Sequence, residues 1–514
     1  MIRPLRWVSP VRLRTQLATC NRQLELWHPD ALGARKSRNN NNNALVVRLI
    51  TYAPLKTPTS IRTIKILPKL QDDEDTIRCT FVEIDLQELA SQPAGRDRLA
   101  LTGLASSRRY VAISYVWGDQ SSPRTILIDE QPFQIGRSLH SALVRVRRML
   151  AKRGPSDSLL WADAICINQA DLVEREQQVR LMGIVYILAE LVVADLGEAP
   201  PGAEEDFAAS CAFLEQVKQK IVDTRPARSP APAPGELPRF YEIQPTEYPT
   251  LEDSGLLQPP TTNMFMGLSQ VVTSNGYFNR AWIVQEFTLA RQLAVLFGES
   301  VLSMTALEDA AWFLSHYASN ASLMRICERG GGHTTKADRN LFTARHLPAD
   351  PWESRQQVSE LGKERLEWAL STLSAVTMVM TLAYQRNSSF SASSLLRRLD
   401  DFQDSLASDP RDKIYSLVNL SAGFERYLPL INYSNSVKEV YHTFAKLFVE
   451  QGESLELLYQ VDSANTQKLQ LPSWVPVSSI KLRIWHSFKL DGYTWPLAFT
   501  TNHCITYLEL GRYA

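Results

Sequence analysis

The chain has 514 residues, 44% of them hydrophobic and 21% charged, a globular composition with room for several domains at ~100–200 residues each. Lys+Arg and Asp+Glu balance at 55 each, which gives no electrostatic reason to expect nucleic acid or anionic lipid as a partner. Six cysteines lie scattered without a CxxC pair, and eight histidines without an HExxH, so the sequence offers neither a disulfide framework nor a metal site.

Residues 1–44 read as a disordered basic tail that ends in the low-complexity run Asn39–Asn43. Arg3, Arg6, Arg12, Arg14 and Arg22 stand there without an acidic residue before Gln23. A cytoplasmic chain is expected, with a mitochondrial presequence as the alternative for this Arg-rich start; Pro4 and Pro10 interrupt any amphipathic helix in it. Extended segments follow at 44–52, 61–67 and 77–84. Residues 110–117 are rich in β-branched and aromatic side chains and stop at Gly118-Asp119-Gln120, which predicts a strand and a turn. Residues 125–128 and 133–135 flank Asp129-Glu130-Gln131 as a small hairpin. Behind Ser138, a plausible N-cap, Leu139, Ala142, Leu143, Val146 and Leu150 recur at helical spacing, with Arg145, Arg147 and Arg148 on the other side.

The run 159–165 predicts a buried strand, and Asn168-Gln169 a turn. Asp171 with Glu174 three residues on is a helix start, with Glu174 and Arg175 pairing inside that helix. A further strand is expected at 191–196, then a Pro-rich surface excursion of about 198–260, an amphipathic helix over 277–291 and a strand at 293–297. Strand–helix–strand repetition of this kind implies parallel pairing with right-handed crossovers. The fold class is therefore α/β, a mostly parallel sheet with flanking helices, followed by a mainly α-helical region over 301–514. The uncharged run 368–385 carries Ser371, Thr372, Ser374, Thr377 and Thr381 and reads as a buried helix rather than a membrane span.

Three segments, in order, resemble the heterokaryon-incompatibility (HET) domain of filamentous fungi. They are Tyr110-Val-Ala-Ile-Ser-Tyr-Val-Trp-Gly-Asp119, Leu160-Trp-Ala-Asp-Ala-Ile-Cys-Ile-Asn-Gln169 with its continuation to Tyr186, and Arg280-Ala-Trp-Ile-Val-Gln-Glu286. Asp409-Pro-Arg-Asp-Lys-Ile-Tyr415 and Leu471-Pro-Ser-Trp-Val-Pro476 resemble segments that often follow the domain. The likeness covers 45–300 as the domain. It departs at Asp195, where the family usually has an aromatic residue, and the chain ends sooner after Trp474 than many relatives. The resemblance implies fungal non-self recognition and regulated cell death, executed by a signalling module that self-associates or receives a protein partner.

HET domains are distantly similar to TIR domains, with a TIR/flavodoxin-like sheet. That likeness implies an alternative: NAD as substrate, cleaved with Glu286 as the catalytic carboxylate and Trp282 one turn before it on the same cleft. The other reading of Glu286 is structural, an ion pair with Arg280 or Arg291 or a hydrogen bond to the loop after Trp117. Asp163, an acid in an apolar run, needs a partner. It either accepts hydrogen bonds from the Gly118 loop or faces the cleft. Ser114, Trp117, Gly118, Asp119, Asn168 and Gln169 complete the motif residues. Cys166, Trp117, Trp161 and Trp282 are expected in the core, Gly118 at an unusual backbone angle, and Arg411 against the HET core. One spatial expectation joins these readings: the blocks around Trp117, Asp163 and Glu286 meet at one end of a single sheet.

Overall fold

β-branched and apolar runs favour extended backbone, and those between residues 60 and 302 are the strands of the computed structural model. The structure describes residues 52–67, 76–91, 109–152, 158–224, 262–318, 375–386, 394–403, 405–452, 484–490 and 493–499, with residues 457, 472 and 475 besides. The expected basic tail, the Pro-rich run 226–234 and Trp474 lie outside the described residues.

The strands are β1 (Ser60–Ile66), β2 (Arg78–Asp85), β3 (Tyr110–Tyr115), β4 (Arg124–Ile128), β5 (Gln131–Ile135), β6 (Leu159–Trp161), β7 (Leu191–Asp195), β8 (Leu293–Phe297) and β9 (Ser300–Leu302). All nine form one sheet in the order β5-β4-β2-β1-β6-β3-β7-β8-β9. Its centre, β6-β3-β7-β8, is parallel throughout. Of these four, the first in sequence lies between the second and the third, which is the flavodoxin-like arrangement. Chain direction across the sheet therefore reverses between β3 and β7, and open α/β sheets bind ligands beyond the carboxyl ends of their strands at such a switch point. Toward the edges the sheet turns antiparallel, at β1 with both β6 and β2, at β4 with β5 and at β8 with β9. The fold is α/β, with a parallel centre and mixed flanks. The β4–β5 hairpin turns on two residues, Asp129 (φ 49°) and Glu130 (φ 61°), as a type I′ turn requires.

The helices are α1 (Leu86–Ser91), α2 (Arg137–Lys152), α3 (Asp163–Cys166), α4 (Leu172–Leu188), α5 (Ala203–Thr224), α6 (Thr262–Thr273), α7 (Ile283–Thr288), α8 (Met304–Ala318), α9 (375–386), α10 (Leu395–Asp401), α11 (Asp412–Val418) and α12 (Val437–Glu450). Asp171 starts α4 as expected: its carboxylate accepts from Val173 N at 3.0 Å and Glu174 N at 3.2 Å. Helix α12 opens on a capping box of Ser436 and Glu439.

Several local expectations are corrected. The run 159–165 is a strand only to Trp161, because the Asp163 carboxylate accepts from Ala164 N (2.7 Å) and turns the chain into α3. The expected helix over 277–291 is broken. A 3₁₀ segment, Ser274–Asn279, precedes an extended Arg280 (φ −84°, ψ 138°), whose backbone is drawn into a parallel bridge with Leu406. Only then does α7 begin. Helix α2 starts one residue before Ser138. Glu174 pairs not with Arg175 but with Arg62 of β1, and it also accepts from Asn168 N at 2.8 Å; Arg175 stacks on Tyr433, 3.9 Å from the ring centre.

The region beyond 301 is helical among the described residues except for β9 and a hairpin of β10 (Ile484–Leu490) and β11 (Tyr493–Phe499). It docks on α4. Arg180 donates to the carbonyls of Leu428 (3.1 Å) and Ile431 (2.6 Å), and Glu176 accepts from Tyr433 N (2.7 Å). Arg411 does not reach the sheet domain: it pairs with Asp409 and donates to the carbonyls of Tyr433 and Asn435, both at 2.7 Å. Asp409 closes a turn onto Arg411 N (3.0 Å), one step ahead of α11.

Candidate functional site at the strand switch point

Strand β3 runs to its carboxyl end through Ser114 and Tyr115, both buried because β6 and β7 flank the strand on either side. Ser114 Oγ lies 2.5 Å from Tyr277 OH and hydrogen-bonds Glu286 Oε2. Tyr186 of α4 gives Glu286 a further hydrogen bond. Glu286, 3% exposed, is thus a carboxyl group from α7 enclosed by hydroxyls from β3, α4 and the 3₁₀ segment. Burial pushes its pKa up to about 7, against the opposing influence of Arg280 and Ser114; Asp163 adds to the rise.

The second carboxylate stands at the rim. Asp163 accepts from Tyr115 OH (3.1 Å), Trp117 Nε1 (2.9 Å) and its neighbour Ala164 N. Burial nonetheless raises its pKa, outweighing Arg280 and these donors. Arg280 Nη1 donates to the Tyr115 carbonyl, and its charge acts on both carboxyl groups. Gln169 Nε2 closes the loop on the Asp163 carbonyl at 3.1 Å. Two acids of raised pKa under the charge of Arg280, at a sheet switch point, make this cluster the candidate site.

The structure therefore brings Ser114, Trp117, Asp163, Gln169, Arg280 and Glu286 together. Others turn elsewhere. Asp119 is exposed and binds Ser121 N (2.8 Å) and Ser121 Oγ (2.5 Å) in its own turn, which holds its pKa down. Asn168 accepts from Ala170 N at 3.3 Å. The Trp282 indole binds Asp412 of α11. Gly118 takes φ +60°, and a side chain there would strike Ser138 Oγ. Trp161 is core, edge-on to Tyr186. Trp117, expected inside, is 39% exposed, because its indole N–H is spent on Asp163 at the rim. Cys166 is buried and its thiol is pushed up to about 12, which removes it as a nucleophile near neutral pH. Among the described residues, no three His, Cys, Asp or Glu side chains are grouped to hold a metal, and no helix is long and apolar enough to cross a membrane.

Tyr277 and Tyr186 were not singled out as site residues from the sequence, since a lone tyrosine carries no positional signal. Asp195 at the end of β7 is likewise better explained by its partner than by its position. Arg145 of α2, expected on the solvent side, is 8% exposed and grips Asp195 with two bonds of 2.7 and 2.6 Å.

Residues 110–286 match the family model described as heterokaryon incompatibility protein (HET). The segment is a HET domain. The chain is also similar to "Heterokaryon incompatibility protein 6, OR allele" of Neurospora crassa, 24% identical over 404 residues, which cover 71% of this chain and 53% of that protein. The chain thus spans about half the length of the curated relative it matches. No solved structure matches it. The HET match begins at the first residue of β3 and ends at Glu286 inside α7, so the switch-point cluster lies wholly within it. The sheet itself runs on past the match, through β1 and β2 on one side and β8 and β9 on the other.

Proposed function

We propose that this chain acts in heterokaryon incompatibility, the non-self recognition of fusing fungal hyphae, as a signalling module whose HET domain leads to regulated cell death. The observation that carries this reading is the convergence of all three HET segments on one hydrogen-bonded cluster around Glu286, at the end of the sheet where α/β folds place their function. The name of the Neurospora relative supports the setting. A protein partner or a second copy of the chain is the natural input for such a module.

A second reading is favoured by the near-neutral Glu286 itself. A carboxyl group with its pKa at about 7 exists in both forms near neutral pH, able to donate a proton when neutral and, when ionised, to stabilise the positive charge that develops as a glycosidic bond breaks. In that reading the domain is a TIR-like hydrolase that releases nicotinamide from NAD, and death follows from NAD loss. Induced expression in a filamentous fungus separates the readings, with wild type and Glu286→Gln compared for growth and cellular NAD. Growth arrest with NAD preserved supports the signalling module. Arrest with NAD loss, both abolished by Glu286→Gln, supports the hydrolase. Unimpaired growth on wild-type expression overturns both.

A further inference from the structure

The HET match ends in the middle of α7, yet α7 is held not only by α4, β3 and β7 but also by polar contacts from the described residues of 375–450. A helix of six residues is too short to persist by itself. At its carboxyl end, Arg386 of α9 donates to the carbonyls of Phe287 (2.9 Å), Ala290 (2.6 Å) and Arg291 (3.3 Å), groups that a helix end otherwise leaves open. In its middle, Asn419 Nδ2 gives Gln285 Oε1 a bond of 3.2 Å. Ahead of it, Ala281 N donates to Leu406 O (2.8 Å) and Leu406 N to Asn279 O (2.5 Å), while the Trp282 indole binds Asp412. Glu286 reaches instead to β3, where Ser114 receives it.

The polar part of this grip is incompletely satisfied. Gln285 Nε2 and Ser416 Oγ, one turn before Asn419 on α11, are buried and find no partner among the described residues. Open polar groups tax the docked arrangement and lower the cost of parting it.

We propose that residues 375–450 are a latch on α7: docked, they keep Glu286 sealed at the switch point, and released, they let α7 shift so that its carboxyl group meets solvent and ligand. The proposal rests on the reading of the Glu286 cluster as the working end of the HET domain, but it does not depend on whether NAD is cleaved. The test uses the full chain, with hydrogen–deuterium exchange over 283–291 and carboxyl labelling by a water-soluble carbodiimide and glycine ethyl ester. In wild type, exposed Asp119 labels and Glu286 does not. In Arg386→Ala/Asn419→Ala, Glu286 labelling and α7 exchange rise on the order of tenfold while β3 and β7 keep their protection. Arg386→Lys, which retains the charge with fewer donors, falls between the two. Ile126→Ala in β4, several strands away, lowers stability without touching the latch and leaves Glu286 unlabelled. The latch is refuted if Glu286 stays unlabelled in both Arg386 variants, if Ile126→Ala labels it equally, or if protection is lost across the whole sheet. A failed growth assay would remove the functional reading and leave this result standing.

Discussion

Glu286 offers the sharpest test of whether the switch point is kept for function at the expense of stability. Its pKa rises from an ordinary 4.5 to about 7 because burial removes it from water and Asp163 adds to the rise, while Arg280 and the hydroxyls of Ser114 and Tyr186 only partly offset this. In the unfolded chain the group ionises near 4.5, whereas in the folded chain it holds its proton up to about 7. Between those values the folded state binds more protons than the unfolded one, so its contribution to stability is full below about 4.5 and falls as pH rises to about 7. At ~1.36 kcal/mol per pH unit the loss is about 3 kcal/mol. Glu286→Gln keeps the shape and a hydrogen bond to Ser114 but cannot ionise. Thermal unfolding followed by circular dichroism from pH 5 to pH 8 should show the variant close to wild type at the acid end. At pH 8 it should be more stable, by up to about 3 kcal/mol and several degrees in Tm. A gap that does not widen with pH, or a wild type more stable than the variant at pH 8, would refute the assignment of a buried, near-neutral carboxyl group.

Other consequences follow from particular contacts. Asp195→Ala leaves the buried Arg145 guanidinium unpaired and should cost about 3–5 kcal/mol, whereas Arg145→Leu/Asp195→Leu should return near wild type; a double-mutant cycle in urea measures both. Ser114→Ala removes a hydrogen bond that lowers the Glu286 pKa, so infrared titration of the carboxyl band, taken as a difference against Glu286→Gln, should place its midpoint above that of wild type. Gly183 of α4 is closed against α11, since a Cβ there would lie 2.7 Å from Asn419 Cβ. Gly183→Ala should therefore cost about 1–3 kcal/mol, and Asn419→Gly in the same chain, which removes the obstructing Cβ, should recover part of it where Asn419→Ala does not, as read by Tm.

The sheet was legible because its signal is local. The runs in β3, β7 and β8 are apolar enough to be buried on both faces, as the centre of a parallel sheet demands. The capped start of α4 at Asp171 and the hairpin at Asp129 and Glu130 could be read from a few adjacent residues. What could not be read was decided by distant partners. Leu406 pulls Arg280 out of helical geometry across more than a hundred residues, and nothing in the amphipathic run 277–291 announces it. Arg62 takes Glu174 from the neighbour that helical spacing suggested.

The Arg145–Asp195 pair shows how such a miss arises and what it means for the site. Each residue taken singly looked out of place: an arginine on the polar side of α2, and an acid where relatives of the domain carry an aromatic. Together they fill one position with two oppositely charged groups, bonded twice and nearly sealed from water. The acid at the end of β7 is therefore paired inside the core, and it sits one strand from Ser114. The same logic separates it from the Glu286 cluster. Burial raises the pKa of all three acids, but Asp195 is bonded twice to a guanidinium of its own, whereas Glu286 and Asp163 both fall under the charge of Arg280. A fold selected only for stability would give each buried acid its own base or none at all. Leaving two acids to share one, where the parallel strands end, is intelligible if the cluster must change its protonation or its partners when the domain acts.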